Sequence, residues 1–207
     1  MIITIARQCG CGAVRVGKLL AQHYSIPFYT RKNLMEMARQ RGVLEEMESF
    51  FDERPVDELL FAMSSFGETS QEINEKPLRV LSDMIGEENC IIIGRCGNYI
   101  FRHRKDLVTI FLKGNLQARI ADIQDEQGLS HDAAAEFVEH ADDCRVAYHK
   151  YYTGLTWGDA NDYDICLDTT RLGEDKTAHL IEEYIEGATN DKGKKETSKN
   201  SKKKLSW

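Results

Sequence analysis

The stretch IARQCGCGAVRVGKLL, residues 5–20, sets glycines at 10, 12 and 17 and cysteines at 9 and 11 directly behind an apolar run. Three chemistries suit such residues. Glycines let a backbone curl around anionic oxygens and present its N–H groups, which makes a phosphate cradle. Neighbouring thiols suit a metal or redox site. A glycine pair also serves as a plain turn from strand to helix. Two registers compete for the cradle. In one, Gly12 to Lys18 matches Gly-x-x-x-x-Gly-Lys, but Leu19 stands where Ser or Thr would hold magnesium, and Val14 to Leu20 are needed as helix interior. The preferred register runs from Gln8 to Arg15, at the amino terminus of the first helix, where unpaired N–H groups and the helix dipole favour phosphate. Gly10, Cys11, Gly12, Ala13 and Val14 then supply the main-chain contacts. Ala13 takes the usual lysine position, so positive charge has to come from Arg7, Arg15 or Lys18, arginine being suited to bidentate phosphate contacts.

Further along, IIIGRCG sets Arg95 directly behind a second apolar run, and Arg119, Arg145 and Arg171 add guanidinium groups that would fit a multi-phosphate ligand if they converged. Arg95 could equally pair with one of the many acids. Asp142 and Arg145 are three apart, hence neighbours on one helix face, and spacing alone makes them an ordinary surface ion pair. Trp157 and Tyr163 could stack on a base, although packing is the commoner fate of such aromatics. Cys9, Cys11 and Cys96 fall in neighbouring loops, but zinc wants four ligands and no Cys-x-x-Cys pair is present, so no metal site is expected.

These residues need a scaffold. MIITIA, the IPFY segment, CIIIG at 90–94, LVTIFL at 107–112 and YDICLD at 163–168 are short strand-like runs, several of them continuously apolar as in a parallel sheet covered on both faces. Helical patterns separate them, which predicts right-handed βαβ units and a crevice beyond the strands' carboxyl ends, bordered by residues 7–13, 94–98 and 169–171. Residues 33–87 read as largely helical, with a helix from Pro77 to Ile85 that starts on the proline. From Ser130 to Tyr152, Phe137, Ala141, Cys144, Tyr148 and Tyr151 form one apolar stripe, and Asp142, Arg145, His149 and Tyr152 a second. Cys90 and Cys166 read as small core residues.

Of the 207 residues, 42% are hydrophobic, enough for one sizeable core. The net charge is −7, yet residues 188–207 carry seven lysines and two acids, leaving 20 basic and 32 acidic residues in the body. An acidic body argues against a general nucleic-acid surface, and the lysine-rich tail is expected to be disordered. No apolar run nears the roughly 18 residues of a membrane span, and no secretory pattern opens the chain, so a cytoplasmic protein with no membrane partner is expected.

ITIARQCGCGAVRVGKLLA, PFY, IIIGRCGNYI, DDCRVAYHKYYTG and WGDANDYDICLDTT together resemble the cytidylate kinase-like family, within the P-loop nucleoside monophosphate (NMP) kinases, from Met1 to about Ile185. The resemblance implies an α/β, three-layer P-loop NMP-kinase-like fold with a five-stranded parallel sheet flanked by helices. It implies one domain over 1–187, with a core of 1–30 and 88–187, a helical NMP-binding insertion at about 31–87 and a lid at about 115–160. By the same likeness Gly10 and Gly12 are the loop glycines, Arg95 grips the monophosphate, Asp142 with Arg145 contacts the cytosine nucleotide, and Arg119 is a lid arginine. Arg15, Arg119 and Arg145 are the candidate catalytic cations. Phosphoryl transfer from ATP with Mg2+ to CMP or dCMP follows, with small nucleotides as partners and a monomer or homodimer as the assembly. Departures from the family pattern are Ala13 for the loop lysine, Cys96 and Asn98 behind the Gly-Arg pair, and Thr30 for an acid after PFY. They keep open a nucleotide-binding regulator that has lost transfer and, more weakly, a phosphotransferase with another acceptor.

Overall fold

A computed structural model describes the backbone of residues 1–52 and 70–203, with side chains for residues 1–52 and 75–188. Five strands form one sheet: β1 (Ile2–Arg7), β2 (Phe28–Tyr29), β3 (Cys90–Ile93), β4 (Leu107–Lys113) and β5 (Ile165–Asp168). Their spatial order is β2-β3-β1-β4-β5, and every pairing is parallel. The central strand β1 sets Thr4 beside Ile92 and Thr109.

Alternation along β1 sends successive side chains to opposite faces. Ile3 and Ile5 pack with Ile91, Ile93, Ile110 and Leu112 under α1 (Ala13–Tyr24) and the last helix, which begins at Glu174. Ile2 and Ile92 face the other way, into a core shared with α2 (Arg31–Gln40), α3 (Leu44–Phe51) and α4 (Ser70–Ile85). Two covered faces explain why the strand runs are apolar throughout. Leu34, Met47, Phe50, Phe51 and Leu81 are buried in that second core, so α2, α3 and the end of α4 pack into the domain; residues 53–69 of the expected helical insertion lie outside the described residues.

A short helix α5 (Gly97–Ile100) follows β3, and a helical hairpin follows β4: α6 (Leu116–Gln127), capped by Asn115, and α7 (His131–Thr153), capped by Ser130. Ile120, Ile123, Ala134 and Val138 form a small core of their own with Cys9. The carboxyl half of α7 leaves it, and Tyr148 and Tyr152 join the main core. After β5 come a short helix α8 (Thr169–Leu172) and α9 (Glu174–Lys203).

Four expectations need correction. Pro77 lies inside α4 rather than at its start; Leu78, Leu81, Met84 and Ile85 are buried beyond it, and that packing holds the helix across the missing N–H. Cys166 is exposed, because β5 is an edge strand and its alternate residues face out. Phe137 is exposed, since Ala134 and Val138, not Phe137, take the inner positions of α7. The tail's backbone is helical through Lys203; no proline interrupts it, and helix formers such as Lys and Glu carry it past Gly187.

Candidate active site

The loop that joins β1 to α1 sits at the carboxyl edge of the sheet. Gln8 N–H donates to the Leu112 carbonyl at 2.9 Å, and Gly114 N–H donates to Gln8 Oε1 at 3.1 Å, so the loop starts from a fixed point on β4. Gly10 has φ +72°, and a Cβ there would lie 2.5 Å from the Arg119 carbonyl oxygen. Only glycine suits that conformation and that approach. Gly12, the amino-terminal cap of α1, has φ +58° and no side-chain cap.

Charge arrives at this loop from the hairpin. Arg119, on the first turn of α6, donates from Nη1 to the Cys9 carbonyl at 3.1 Å and to Asp142 Oδ2 at 2.6 Å. Arg145 Nη1 donates to Asp142 Oδ1 at 3.2 Å and to the Arg7 carbonyl at 3.4 Å. Asp142 Oδ1 also accepts the Cys9 N–H at 2.7 Å. One carboxylate therefore ties β1's loop, α6 and α7 together, with side chains only 7% (Arg119), 15% (Arg145) and 17% (Asp142) exposed. The i,i+3 spacing announced half of this bridge; nothing in the spacing announced Arg119, whose partner is 23 positions away.

The other sequence-derived cations lie elsewhere. Arg15 faces the start of α9, with Nε 4.0 Å from Glu174 and Nη2 3.8 Å from Asp175. Lys18 and Val14 are exposed on α1, and Ala13 is buried at its first position. Arg171 is exposed on α8. The Glu174 carboxyl group leans on the Gly12 end of α1: a Cβ on Gly12 would meet its Oε1 at 2.8 Å. A cleft of about 220 Å³ opens there, lined in part by Cys11, Gly12, Asp122, Thr169 and Glu174. Burial, reinforced by the Glu174 charge, pushes the Asp122 carboxyl up.

Arg95 follows β3 in a turn of unusual backbone. Gly94, Arg95 and Cys96 have φ of +72°, +54° and +53° in succession, and the last two are costly for L residues, on the order of 1 kcal/mol each. Arg95 is buried: Nη1 donates to the Phe50 carbonyl at 2.7 Å, and the guanidinium lies 4.8 Å from the Tyr148 ring centre. It ties the end of α3 to α7, a contact that its place behind an apolar run did not foretell.

Between these two turns and α7 lies a polar cavity of about 30 Å³, lined in part by Thr4, Arg7, Arg95, Asn98, Arg145 and His149. On three of these lining residues, Thr4 Oγ1, Arg145 Nε and His149 Nε2 are buried without hydrogen-bond partners. Burial lowers the His149 pKa, against a smaller opposing pull from Asp162. Trp157 lines the same cavity and packs edge-on against Phe111, while Tyr163 is buried beside Phe111.

The cysteines are subdued by burial, which raises the thiols of Cys9, of Cys11 to about 11 and of Cys96 to about 12, leaving all three protonated at neutral pH. Among the described residues no group of three or more His, Cys, Asp or Glu side chains is placed to hold a metal ion, and no helix is long and apolar enough to cross a membrane.

A five-stranded parallel sheet flanked by helices, with a glycine loop between its central strand and first helix, is the three-layer architecture of the P-loop kinases. The chain belongs to the cytidylate kinase-like family, whose model matches residues 2–171. It is 26% identical over 195 residues to a cytidylate kinase of Methanopyrus kandleri, covering 90% of this chain and 93% of that one. A cytidylate kinase of Methanococcoides burtonii is 23% identical, with 91% and 98% covered. Among solved structures, an uncharacterized protein from Eubacterium ventriosum is similar with a TM-score of 0.72 and 30% identity, covering 90% of this chain and 98% of that one. A shikimate kinase from Bacteroides thetaiotaomicron shares the fold at a TM-score of 0.51 and 15% identity, with 90% and 98% covered.

Proposed function

We propose that the protein is an ATP-dependent nucleoside monophosphate kinase of cytidylate type, with CMP or dCMP as acceptor. The observation that carries this reading is the convergence of Arg119 and Arg145, through Asp142, on the Cys9 amide of the glycine loop. In the transfer, an oxygen of the acceptor's phosphate forms a bond to the γ-phosphorus as the bond to the β–γ bridging oxygen breaks. That reaction needs positioning and cations more than a base. The amides of residues 10–14 hold the ATP phosphates, the two arginines neutralise the charge that shifts during transfer, and Arg7 and Arg95 border the acceptor side. Mg2+ would enter with ATP; Asp122, whose carboxyl is pushed up by burial and the Glu174 charge, and Glu174 beside Gly12 would offer the hard oxygen ligands it takes.

Curated relatives at 21–26% identity named cytidylate kinase support the acceptor, and the cationic cavity supports an anionic one. A coupled assay of ADP release against a panel of monophosphates tests it, with turnover expected for CMP or dCMP above the others. A second reading, a nucleotide-binding regulator without transfer, is favoured by Ala13 and by the way Asp142 already engages the loop amide and a terminal nitrogen of each arginine. Measurable ATP binding with no ADP release for any acceptor decides for the regulator.

A further inference from the structure

We propose that His149, with Thr4 and Arg145, forms a proton-linked seat for one anionic oxygen of the acceptor, so that the acceptor binds more tightly to the protein whose His149 is protonated. Naming the occupant an acceptor rests on the kinase reading; the seat's preference for an anion rests on the cavity itself.

Three polar atoms carry the argument. His149 is 3% exposed and Thr4 2% exposed, and His149 Nε2, Thr4 Oγ1 and Arg145 Nε have no hydrogen-bond partner. A buried polar atom without a partner is costly, so three on residues that line one cavity point to a missing partner. They come from separate elements: Thr4 from the middle of β1, Arg145 and His149 from successive turns of α7. All three residues line the same space of about 30 Å³. That exceeds the roughly 10–15 Å³ that one water needs, so the seat has room for an oxygen-sized atom of a larger group.

The lining decides the charge of that atom. Among the described residues it includes Arg7, Arg95 and Arg145 and no Asp or Glu. Arg145 Nε can only donate, a threonine hydroxyl can donate, and His149 Nε2 donates once the ring is protonated. Three donors fit an anionic oxygen better than they fit water, which must offer its own hydrogens to acceptors. The groups facing His149 are Arg7 and Thr4 from β1, Arg95 and Cys96 from the turn after β3, Arg145 and Tyr148 from its own helix, and Asp162 from the turn before β5. Burial favours the neutral ring and lowers its pKa, against a smaller opposing pull from Asp162. An anion at Nε2 reverses that balance.

The test is an NMR titration of the six histidines of the full chain, with the His149 resonances assigned from His149→Gln, in the absence of ligand, with inorganic phosphate and with CMP. The expected result is a His149 pKa below the usual value without ligand and about one unit higher with phosphate or CMP bound. By linkage that is a tenfold tighter complex at acid pH. Calorimetry should then show the wild type losing affinity relative to His149→Gln as pH rises through this window, the ionisation of the ligand's own phosphate being common to both proteins. Thr4→Val, which keeps the shape and deletes the hydroxyl, should weaken phosphate and CMP several-fold. A His149 signal indifferent to both ligands, an ordered water alone in the cavity of a phosphate-soaked crystal, or equal pH slopes for the wild type and His149→Gln would each overturn the seat. CMP turnover with an indifferent His149 removes the seat and keeps the kinase. A phosphate response without transfer to any acceptor keeps the seat and removes the kinase.

Discussion

At each end of the sheet one aspartate holds two cations. At the carboxyl edge Asp142 joins Arg119 at 2.6 Å and Arg145 at 3.2 Å. At the amino edge Asp106 joins Arg104 and the Met1 amino group, each at 2.8 Å. The difference lies in what surrounds the carboxylate. Asp106 is 45% exposed and keeps its water, and Arg104 is its neighbour only two positions away. Asp142 is largely enclosed and, from α7, takes both Arg119 of α6 and the Cys9 amide of the loop. Water screens the first set of charges, and the second must balance itself. The enclosed set lies beside left-handed turns and unpartnered polar atoms, which is what a binding edge looks like when no ligand supplies the missing partners.

Removing the enclosed carboxylate tests the contrast most severely. Asp142→Ala leaves two guanidinium groups facing each other and should cost about 3 kcal/mol. For a chain of this size that lowers Tm by about 6–12 °C in a thermal melt. If Tm moves by less than 2 °C, the two aspartates are energetically alike and the comparison fails.

Glycines sharpen it next. Gly10→Ala places a methyl group 2.5 Å from the backbone oxygen of Arg119, which cannot move without disturbing the Asp142 bridge. A cost of about 2 kcal/mol is expected, together with weaker ATP binding by calorimetry. Gly94→Ala has the same left-handed φ, but the methyl meets the far end of the Arg7 side chain, which can swing aside. About 1 kcal/mol should then appear in the melt. Equal losses for the two variants would mean that the backbone torsion alone, and not the approach of Arg119, makes Gly10 necessary.

How much of this was written in the sequence follows from the range of each interaction. The strands and their covered faces were legible because a parallel sheet demands continuous apolar runs, and the turn from β1 into α1 was legible because glycines stood between a strand and a helix. Asp142 with Arg145 was legible as a pair, since three positions on a helix define a neighbourhood. Arg119 as their third member was not, because only the packing of α6 on α7 brings residues 23 apart together. Arg15 read as a phosphate cation until α9 set two acids beside it. Cys166 read as core because a single strand does not announce that it is an edge. His149 stood in the second stripe of α7, yet its free nitrogen depends on what β1 and the turn after β3 leave open around it.

The smallest effect belongs to the exposed aspartate, and pH separates it from the rest. Hydrogen bonds from Arg104 and from the amino terminus hold the Asp106 carboxyl well below the usual carboxylate range. A depressed folded pKa means that the unfolded chain binds the proton more readily, so the stabilisation is present above the unfolded value of about 3.9 and is lost as pH falls below it. Because the side chain is nearly half exposed, screening should limit the contribution to about 0.5 kcal/mol. Urea midpoints of the wild type and Asp106→Asn should therefore differ slightly at pH 7 in low salt, converge in 0.5 M salt, and converge again as pH falls through the acid range. A loss at pH 7 as large as that of Asp142→Ala would place a second enclosed charge cluster at the amino edge and remove the distinction between the two ends of the sheet.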